Sequence, residues 1–304
     1  MANQIPNFLH EKLLKQYGEQ ITNQIIQGYS TKRAVTLRAN TLKTNQNEIA
    51  NNLKKEGLLY QNPSWSKEAF ILENACEKQI RNLSMYENGE IYLQSLSSML
   101  PAIILEPKPQ ENILDMAAAP GGKTTQMAAI SNNEALITAC EKNKLRAERL
   151  KYNIEKQGAT KVNILVQDAR ELSNYFSFDK ILLDSPCSGS GTIYLEDEKI
   201  QTTFTQELIQ RSVKTQQKLL AKAISILKTG QEMVYSTCSI LEEENENQLK
   251  SLIQNKKIEI VPIDKNMLQG IPLLPSKIEG TICVCPTTLY EGFFVAKLCC
   301  CQKG

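Results

Sequence analysis

The sequence predicts an α/β protein whose sheet is doubly wound, mainly parallel and closed by an antiparallel strand, behind a small N-terminal α+β domain. Three observations carry that expectation. Beyond Asn112, strand-like and helix-like stretches alternate strictly, the order produced by a parallel sheet covered by helices on both faces. Lys180-Ile-Leu-Leu-Asp184 is a short apolar run closed by an acid and then by Pro186, Gly189 and Gly191, as a central strand is. From Ile258 onward, strand patterns recur without long helices between them, so an antiparallel final pair is expected.

At 304 residues the chain suits two domains, or one large α/β unit with an appendage. A hydrophobic content of 41% is enough for a sizeable core, and a net charge of +2 neither requires nor excludes a nucleic-acid partner. Nine cysteines, an odd number, with no signal peptide, argue for a reducing cytoplasm rather than a disulfide framework. No apolar run approaches the ~18 residues of a membrane span, so no membrane partner is expected. The single histidine, His10, lies in a polar stretch, which nearly excludes Ser-His-Asp catalysis and most catalytic zinc sites. Acid, base and nucleophile must come from Asp, Glu, Lys, Cys or Tyr.

In chain order, Phe8, Leu9, Leu13, Leu14, Tyr17, Ile21 and Ile25 recur at helical spacing, which predicts an amphipathic helix over about Asn7–Gln27. Ala34 to Leu42 alternates like a strand, Ile49, Leu53 and Leu58 suggest a short helix ending at Gly57, and Phe70-Ile-Leu and Ile91-Tyr-Leu suggest further strands. Pro107-Lys-Pro109 is expected to mark a boundary, giving an α+β domain over 1–105 and a catalytic domain over 106–304. Strands are then expected at Ile113–Met116, Leu136–Cys140 and Val162–Val166, into Asp184, and around Val234. Helices are expected at Gly121–Ile130, Lys142–Gln157, Thr205–Leu227 and Glu242–Gln254. Ile258–Pro262, Thr281–Val284 and Gly292–Leu298 read as the closing strands.

Ligands of open α/β sheets sit beyond the carboxyl ends of the strands. The first such strand runs into Asp115-Met-Ala117-Ala118-Ala119-Pro120-Gly121-Gly122-Lys123-Thr124, where small residues let the backbone approach a ligand and a helix N-terminus offers N–H groups to an anion. Two ligands compete for this turn. A phosphate-binding Walker loop fits Gly122-Lys123-Thr124 but needs a glycine at position 117, where alanine stands. S-adenosylmethionine fits better: its carboxylate would face the helix, Glu141 after the second strand would accept the ribose hydroxyls, and Asp168 after the third would take the adenine amino group. Two thiols also end strands, Cys187 in Asp184-Ser-Pro-Cys187 and Cys238 in Ser-Thr-Cys238-Ser. Cys283-x-Cys285 and Cys299-Cys300-Cys301 lack paired zinc spacing, and no metal is expected.

Together these residues resemble the RNA cytosine-5 methyltransferases of the NOL1/NOP2/Sun (RsmB/NOP) type. The resemblance runs from Arg38-Ala-Asn40-Thr-Leu42 to Gly292-Phe-Phe-Val-Ala and rests most on Asp115–Thr124, on Asp184-Ser-Pro-Cys187-Ser-Gly, and on Ser236-Thr-Cys238-Ser with Glu242–Asn247 after it. It implies a Rossmann-like class I methyltransferase fold and methyl transfer from S-adenosylmethionine to carbon 5 of a cytosine in rRNA or tRNA, an RNA-processing role. Cys238 would be the nucleophile, Cys187 would assist product release, Asp184 would hold the base and Lys123 would lie near the reacting groups. Ala117 to Lys123, Glu141, Asp168 and Asp184 would surround the cofactor. Ala117 stands where many relatives have Cys, Glu141 where Asp is common, and Ser185 where Ala is frequent.

The chemistry suits those residues. A thiolate adding at carbon 6 of cytosine makes carbon 5 carbanion-like, and a base then removes the carbon 5 proton so that the thiol leaves. A free thiol has a pKa of about 8.5, so the site is expected to lower it, with Lys123 as the nearby cation. The cytosine must be unstacked, which costs least in single-stranded RNA. Lys32, Arg33 and Arg38 are candidate phosphate contacts in the N-terminal domain, and a monomer is expected. Two readings compete with this one. A DNA cytosine-5 methyltransferase would use Cys187 as nucleophile and leave Cys238 idle; a non-enzymatic RNA-binding assembly factor would not need the four intact catalytic positions.

Overall fold

The computed structural model describes residues 5–197 and 200–301; the extreme ends of the two expected domains, 1–4 and 302–304, lie outside the described residues. The N-terminal part contains helix α1 (Asn7–Tyr29), strand β1 (Val35–Ala39), α2 (Gln46–Lys55), β2 (Tyr60–Gln61), β3 (Ala69–Leu72), α3 (Glu77–Arg81), α4 (Ser84–Glu87), β4 (Ile91–Leu93) and α5 (Leu96–Leu105). Its strands form an antiparallel sheet in the order β2-β3-β1-β4. Leu37, Ile49, Leu53, Phe70 and Ile91 are fully buried in its core. Asn45 caps α2 by accepting the Glu48 N–H at 3.0 Å.

Helices and strands then alternate: β5 (Asn112–Asp115), α6 (Gly122–Ile130), β6 (Leu136–Cys140), α7 (Lys144–Gln157), β7 (Val162–Leu165), β8 (Phe178–Asp184), α8 (Ile200–Thr203), α9 (Gln206–Ile226), β9 (Leu227–Thr237) and α10 (Glu246–Gln254). The closing strands are β10 (Ile258–Val261), β11 (Leu273–Leu274), β12 (Ile282–Val284) and β13 (Phe293–Cys300). They form one nine-stranded sheet, β11-β12-β13-β9-β8-β5-β6-β7 with β10 beside β13. The strands from β7 to β9 are parallel, and β13 joins β9 antiparallel, as the sequence predicts.

Three local departures have physical causes. The first helix is broken at Gly18, whose φ of 76° interrupts the helical turn. Helix α5 is absent from the sequence expectation because Pro101 sits in its middle and reads as a breaker. Ser95 caps it and eight of its ten residues are buried, so tertiary packing overrides the local penalty. The predicted helix from Glu242 begins only at Glu246, because Glu244 turns inward to a buried position.

Neither α1 nor α5 packs only on the small sheet. Leu9, Leu13, Ile25 and Tyr29 of α1 share a core with Leu183, Tyr235 and Phe294 of the large sheet. Leu96, Met99 and Leu100 of α5 share the other core with Ile113, Leu182 and Val295. Buried polar bonds join the units as well. Asn40 Nδ2 donates to the carbonyl of Gln157 at 2.7 Å, and Arg38 Nη2 donates to Thr125 Oγ1 at 3.2 Å.

Candidate active site

The chain leaves β5 toward β6 and β7 on one side, then returns to place β8 and β9 on the other. That reversal opens a crevice at the carboxyl ends of β5 and β8, where Asp115 and Asp184 stand. Asp115 organises the turn after β5. Its Oδ2 accepts Thr124 Oγ1 at 2.7 Å and its Oδ1 accepts the Ala117 N–H at 3.4 Å, and burial pushes its carboxyl up to about 6. Gly121 precedes α6 with φ 108°, a left-handed conformation that favours glycine, and a Cβ there would stand 3.0 Å from Leu150 Cδ1. No side chain caps α6, and Gly122 and Lys123 of its first turn line the crevice.

Asp184 is held from two sides. Lys123 Nζ pairs with Oδ2 at 2.7 Å and Ser236 Oγ donates to Oδ1 at 2.8 Å. Lys123 also donates to Ser98 Oγ at 2.7 Å and lies 5.4 Å from the Phe293 ring centroid. Its ammonium thus neutralises Asp184.

The two thiols are adjacent. Cys187 Sγ and Cys238 Sγ are 3.1 Å apart. The Gly191 N–H donates to the Cys238 carbonyl at 3.0 Å, and the Gly292 N–H donates to the Gly191 carbonyl at 2.8 Å. A Cβ on Gly191 would fall 1.9 Å from the Gly292 carbonyl oxygen, so side chains are excluded at this crossing. Helix α1 braces both loops: Tyr29 Oη donates to the Ser190 carbonyl at 2.5 Å, and Tyr17 Oη to the Ile240 carbonyl at 2.6 Å. The Cys187 thiol is pushed well up by its hydrogen bond to Cys238, by desolvation and by Glu244. Cys187 has an acid behind it rather than a cation.

A cleft of about 1260 Å³ joins these groups, lined by Asp115, Ala117–Pro120, Gly122, Lys123, Asp184 and Cys238. Cys187, Gly121, Glu141 and Asp168 lie outside its lining. Glu141 is buried at the end of β6; its Oε1 accepts the Asn143 N–H at 2.8 Å and its Oε2 is 3.5 Å from Arg146. Asp168 accepts the Arg170 backbone N–H and is clamped by the Arg170 guanidinium at 2.9 and 2.5 Å, which holds its carboxyl below the usual range.

Of the candidate phosphate contacts, Lys32 is exposed and lines the cleft, and Arg33 lines it while donating to the Ile193 carbonyl. Arg38 is corrected: it is buried, bonds Gln94 Oε1 and Thr125 Oγ1, and lies 5.8 Å from the Tyr92 ring, so it braces the two units. Glu244 was not singled out from the sequence. Its Oε1 accepts the Ser188 N–H at 2.7 Å and its Oε2 accepts Ser188 Oγ at 2.6 Å, and burial pushes its carboxyl up. The acidic run after Cys238 was the available signal, and such a run reads as a solvated helix start. Among the described residues no helix is long and apolar enough to cross a membrane, and no group of three or more His, Cys, Asp or Glu is placed to hold a metal.

Residues 102–299 match the family model described as 16S rRNA methyltransferase RsmB/F, and residues 5–79 match a ferredoxin-like domain described as RsmF/B-like. The 25S rRNA (cytosine-C(5))-methyltransferase nop2 of Schizosaccharomyces pombe is 37% identical over 246 residues, covering 79% of this chain and 40% of that protein. The ribosomal RNA small subunit methyltransferase F of Shewanella sp. strain ANA-3 is 34% identical over 269 residues, covering 86% of this chain and 55% of that protein. The chain thus spans 40% and 55% of the length of these curated relatives. A methyltransferase homolog protein from Pyrococcus horikoshii, solved by crystallography, is 31% identical with a TM-score of 0.84 over 97% of this chain and 95% of that one.

Proposed function

The chain belongs to the RsmB/F family of rRNA methyltransferases, within the NOL1/NOP2/Sun group of RNA cytosine-5 methyltransferases, and we propose on that footing that it methylates carbon 5 of a cytosine in rRNA or tRNA through a covalent adduct between Cys238 and carbon 6. The observation that carries the reading is the pairing of Cys187 with Cys238 beside the Lys123–Asp184 ion pair. Nine free cysteines accord with action in the cytoplasm.

S-adenosylmethionine fits the residues at the crevice. The uncapped N-terminus of α6 suits its carboxylate, and the Ala117–Gly122 turn leaves room for it. Glu141 keeps lone pairs for ribose hydroxyls. Asp168 spends three of its roughly four acceptor sites on Arg170 and keeps one for an amino group. Bound there, the cofactor supplies an electrophilic methyl group.

The chain's own residues do the rest. Asp184, fixed by Lys123 and Ser236, offers its remaining lone pairs to the amino edge of the flipped cytosine. Cys238, facing the cleft, loses its proton and bonds carbon 6, and the ring electrons move toward carbon 5. After methylation, the carbon 5 proton passes to the Cys187 sulfur acting as base, the ring double bond re-forms and the Cys238 sulfur leaves with the electron pair of its bond to carbon 6. Cys187, within reach of that sulfur, assists this release. Residues 1–105 supply RNA contacts through Lys32 and Arg33, and residues 106–304 carry the chemistry.

The test is direct. Purified protein, RNA lacking 5-methylcytosine and radiolabelled S-adenosylmethionine should yield labelled 5-methylcytidine on nucleoside analysis. Calorimetry should show S-adenosylmethionine binding and no ATP binding. Label in another nucleoside, or tight ATP binding with none of S-adenosylmethionine, would overturn the reading.

A further inference from the structure

Two of the exposed large apolar side chains, Leu145 at 69% and Tyr152 at 60%, line the same cleft as Asp184 and Cys238. Both stand on α7. With Arg149 and Lys156 they follow a spacing of four, three and four residues, which puts all four on one helix face. All four line the cleft. A merely solvated helix face has no use for an exposed leucine and an exposed tyrosine interleaved with two cations.

The opposite wall belongs to the small domain. Lys156 Nζ lies 3.8 Å from the Tyr86 ring centroid and 5.6 Å from that of Tyr152. Arg81 lies 5.5 Å from the same Tyr86 ring and donates to its hydroxyl at 2.7 Å. Cations and rings therefore alternate across the boundary between the two units. Arg149 and Lys156 take part in none of the ion pairs among the described residues. Their charge stays available to an anion, although Glu148 and Glu77 also line the cleft.

We propose that this face of α7, with Arg81 and Tyr86 opposite, is the track for the single-stranded RNA that flanks the target base. The proposal deepens the RNA reading given above and rests on it. Aromatic and apolar side chains receive unstacked bases, and cations beside them meet phosphates, the combination that binds single strands without reading sequence. From Leu145 to Lys156 the helix rises about 16 Å, the length of roughly five stacked nucleotides. An acidic peptide would use the cations and leave Leu145 and Tyr152 exposed, so RNA accounts for more of the surface.

The test uses the full chain and a fluorescein-labelled single-stranded oligoribonucleotide of about twelve nucleotides, read by anisotropy. Tyr152→Ala should weaken binding roughly five- to 150-fold, and Tyr152→Phe should restore it. The double variant Arg149→Ala, Lys156→Ala should reduce the slope of log affinity against log salt by about 1.4. Thermal unfolding and S-adenosylmethionine binding, measured alongside, should match wild type. Unchanged affinity and slope in these variants would overturn the track. So would equal binding of duplex RNA, or equal competition by poly-glutamate. Methyl transfer by wild type separates the two claims. Wild type that binds RNA through this face without methylating it defeats the catalytic reading and leaves the track. Variants that methylate with the wild-type KM for RNA defeat the track and leave the catalytic reading.

Discussion

Cys187 and Cys238 are 51 positions apart in the chain, yet their sulfurs lie 3.1 Å apart. The contact follows from the parallel register of β8 and β9, in which Asp184 lies opposite Ser236. Each thiol comes two or three residues beyond that pair, and the Gly191 N–H, donating to the Cys238 carbonyl, ties the two loops together. Their surroundings differ: Cys238 faces the cleft, and Cys187 backs onto Glu244.

This asymmetry predicts distinct fates for the two alanine variants. Cys238→Ala should abolish both methyl transfer and covalent RNA adduct. Cys187→Ala should form the adduct and transfer the methyl group, then fail to release, leaving a protein–RNA complex that survives denaturing electrophoresis. A DNA-type arrangement gives the reverse pattern, and an inactive RNA-binding fold gives no adduct with either variant. An adduct from Cys238→Ala alone would overturn the assignment.

Asp115 should impose a pH dependence on stability. Its carboxyl is pushed up to about 6 from 3.8, so the neutral form is favoured in the folded state. The stability it contributes is fully present below about pH 4 and is lost as pH rises through about 6. The shift corresponds to about 3 kcal/mol. Asp115→Asn keeps an acceptor for Thr124 and cannot ionise, so it should gain stability relative to wild type between pH 4 and pH 7. Denaturant unfolding at several pH values checks this; parallel profiles for the two proteins would exclude Asp115 as the cause.

The large sheet was legible in the sequence because its strands are apolar runs of the right length, each closed by an acid, a thiol or glycines. The same runs located Asp115, Asp184, Cys187 and Cys238. What escaped depends on tertiary packing. Pro101 hides α5, whose burial on nearly every side outweighs the proline. Arg38 alternates like any strand residue, and only docking of the small sheet onto α6 shows that its guanidinium is buried. Glu244 sits in a run of acids and is distinguished only by turning inward to Ser188. That Lys123 also engages Asp184 and Ser98 is visible only once the site is packed.

Arg38 and Lys32 should separate accordingly. Arg38→Ala removes a buried guanidinium from Gln94 and Thr125 and should destabilise the fold by about 3 kcal/mol. Lys32 is exposed on the cleft, so Lys32→Ala should leave stability unchanged and lower the salt dependence of single-stranded RNA binding by about 0.7 in log–log slope. Thermal unfolding with salt-dependent anisotropy distinguishes them. A stable Arg38→Ala protein with weakened RNA binding would restore Arg38 to the phosphate contacts.

Glu244 provides the last prediction, because it acts on Cys187 in two ways. Its carboxylate fixes the Cys187 loop through both donors of Ser188, and its charge helps to raise the Cys187 thiol pKa. Glu244→Ala would leave the half-buried Ser188 donors without their acceptor, at a cost of about 1 kcal/mol. Glu244→Gln can still accept the Ser188 N–H and offers an amide to its hydroxyl, so it should stay folded while losing the charge. The Cys187 thiol should then ionise at lower pH. In a Cys238→Ala background, the rate of Cys187 alkylation by iodoacetamide should rise with pH at a lower midpoint in the Gln variant. Because Cys238 and desolvation rank ahead of Glu244 among the causes, the displacement should be modest. Turnover limited by product release should shift the same way in the protein that retains Cys238. A midpoint that stays in place or moves to higher pH would show that Cys187 does not feel the Glu244 charge, leaving Glu244 only its grip on Ser188.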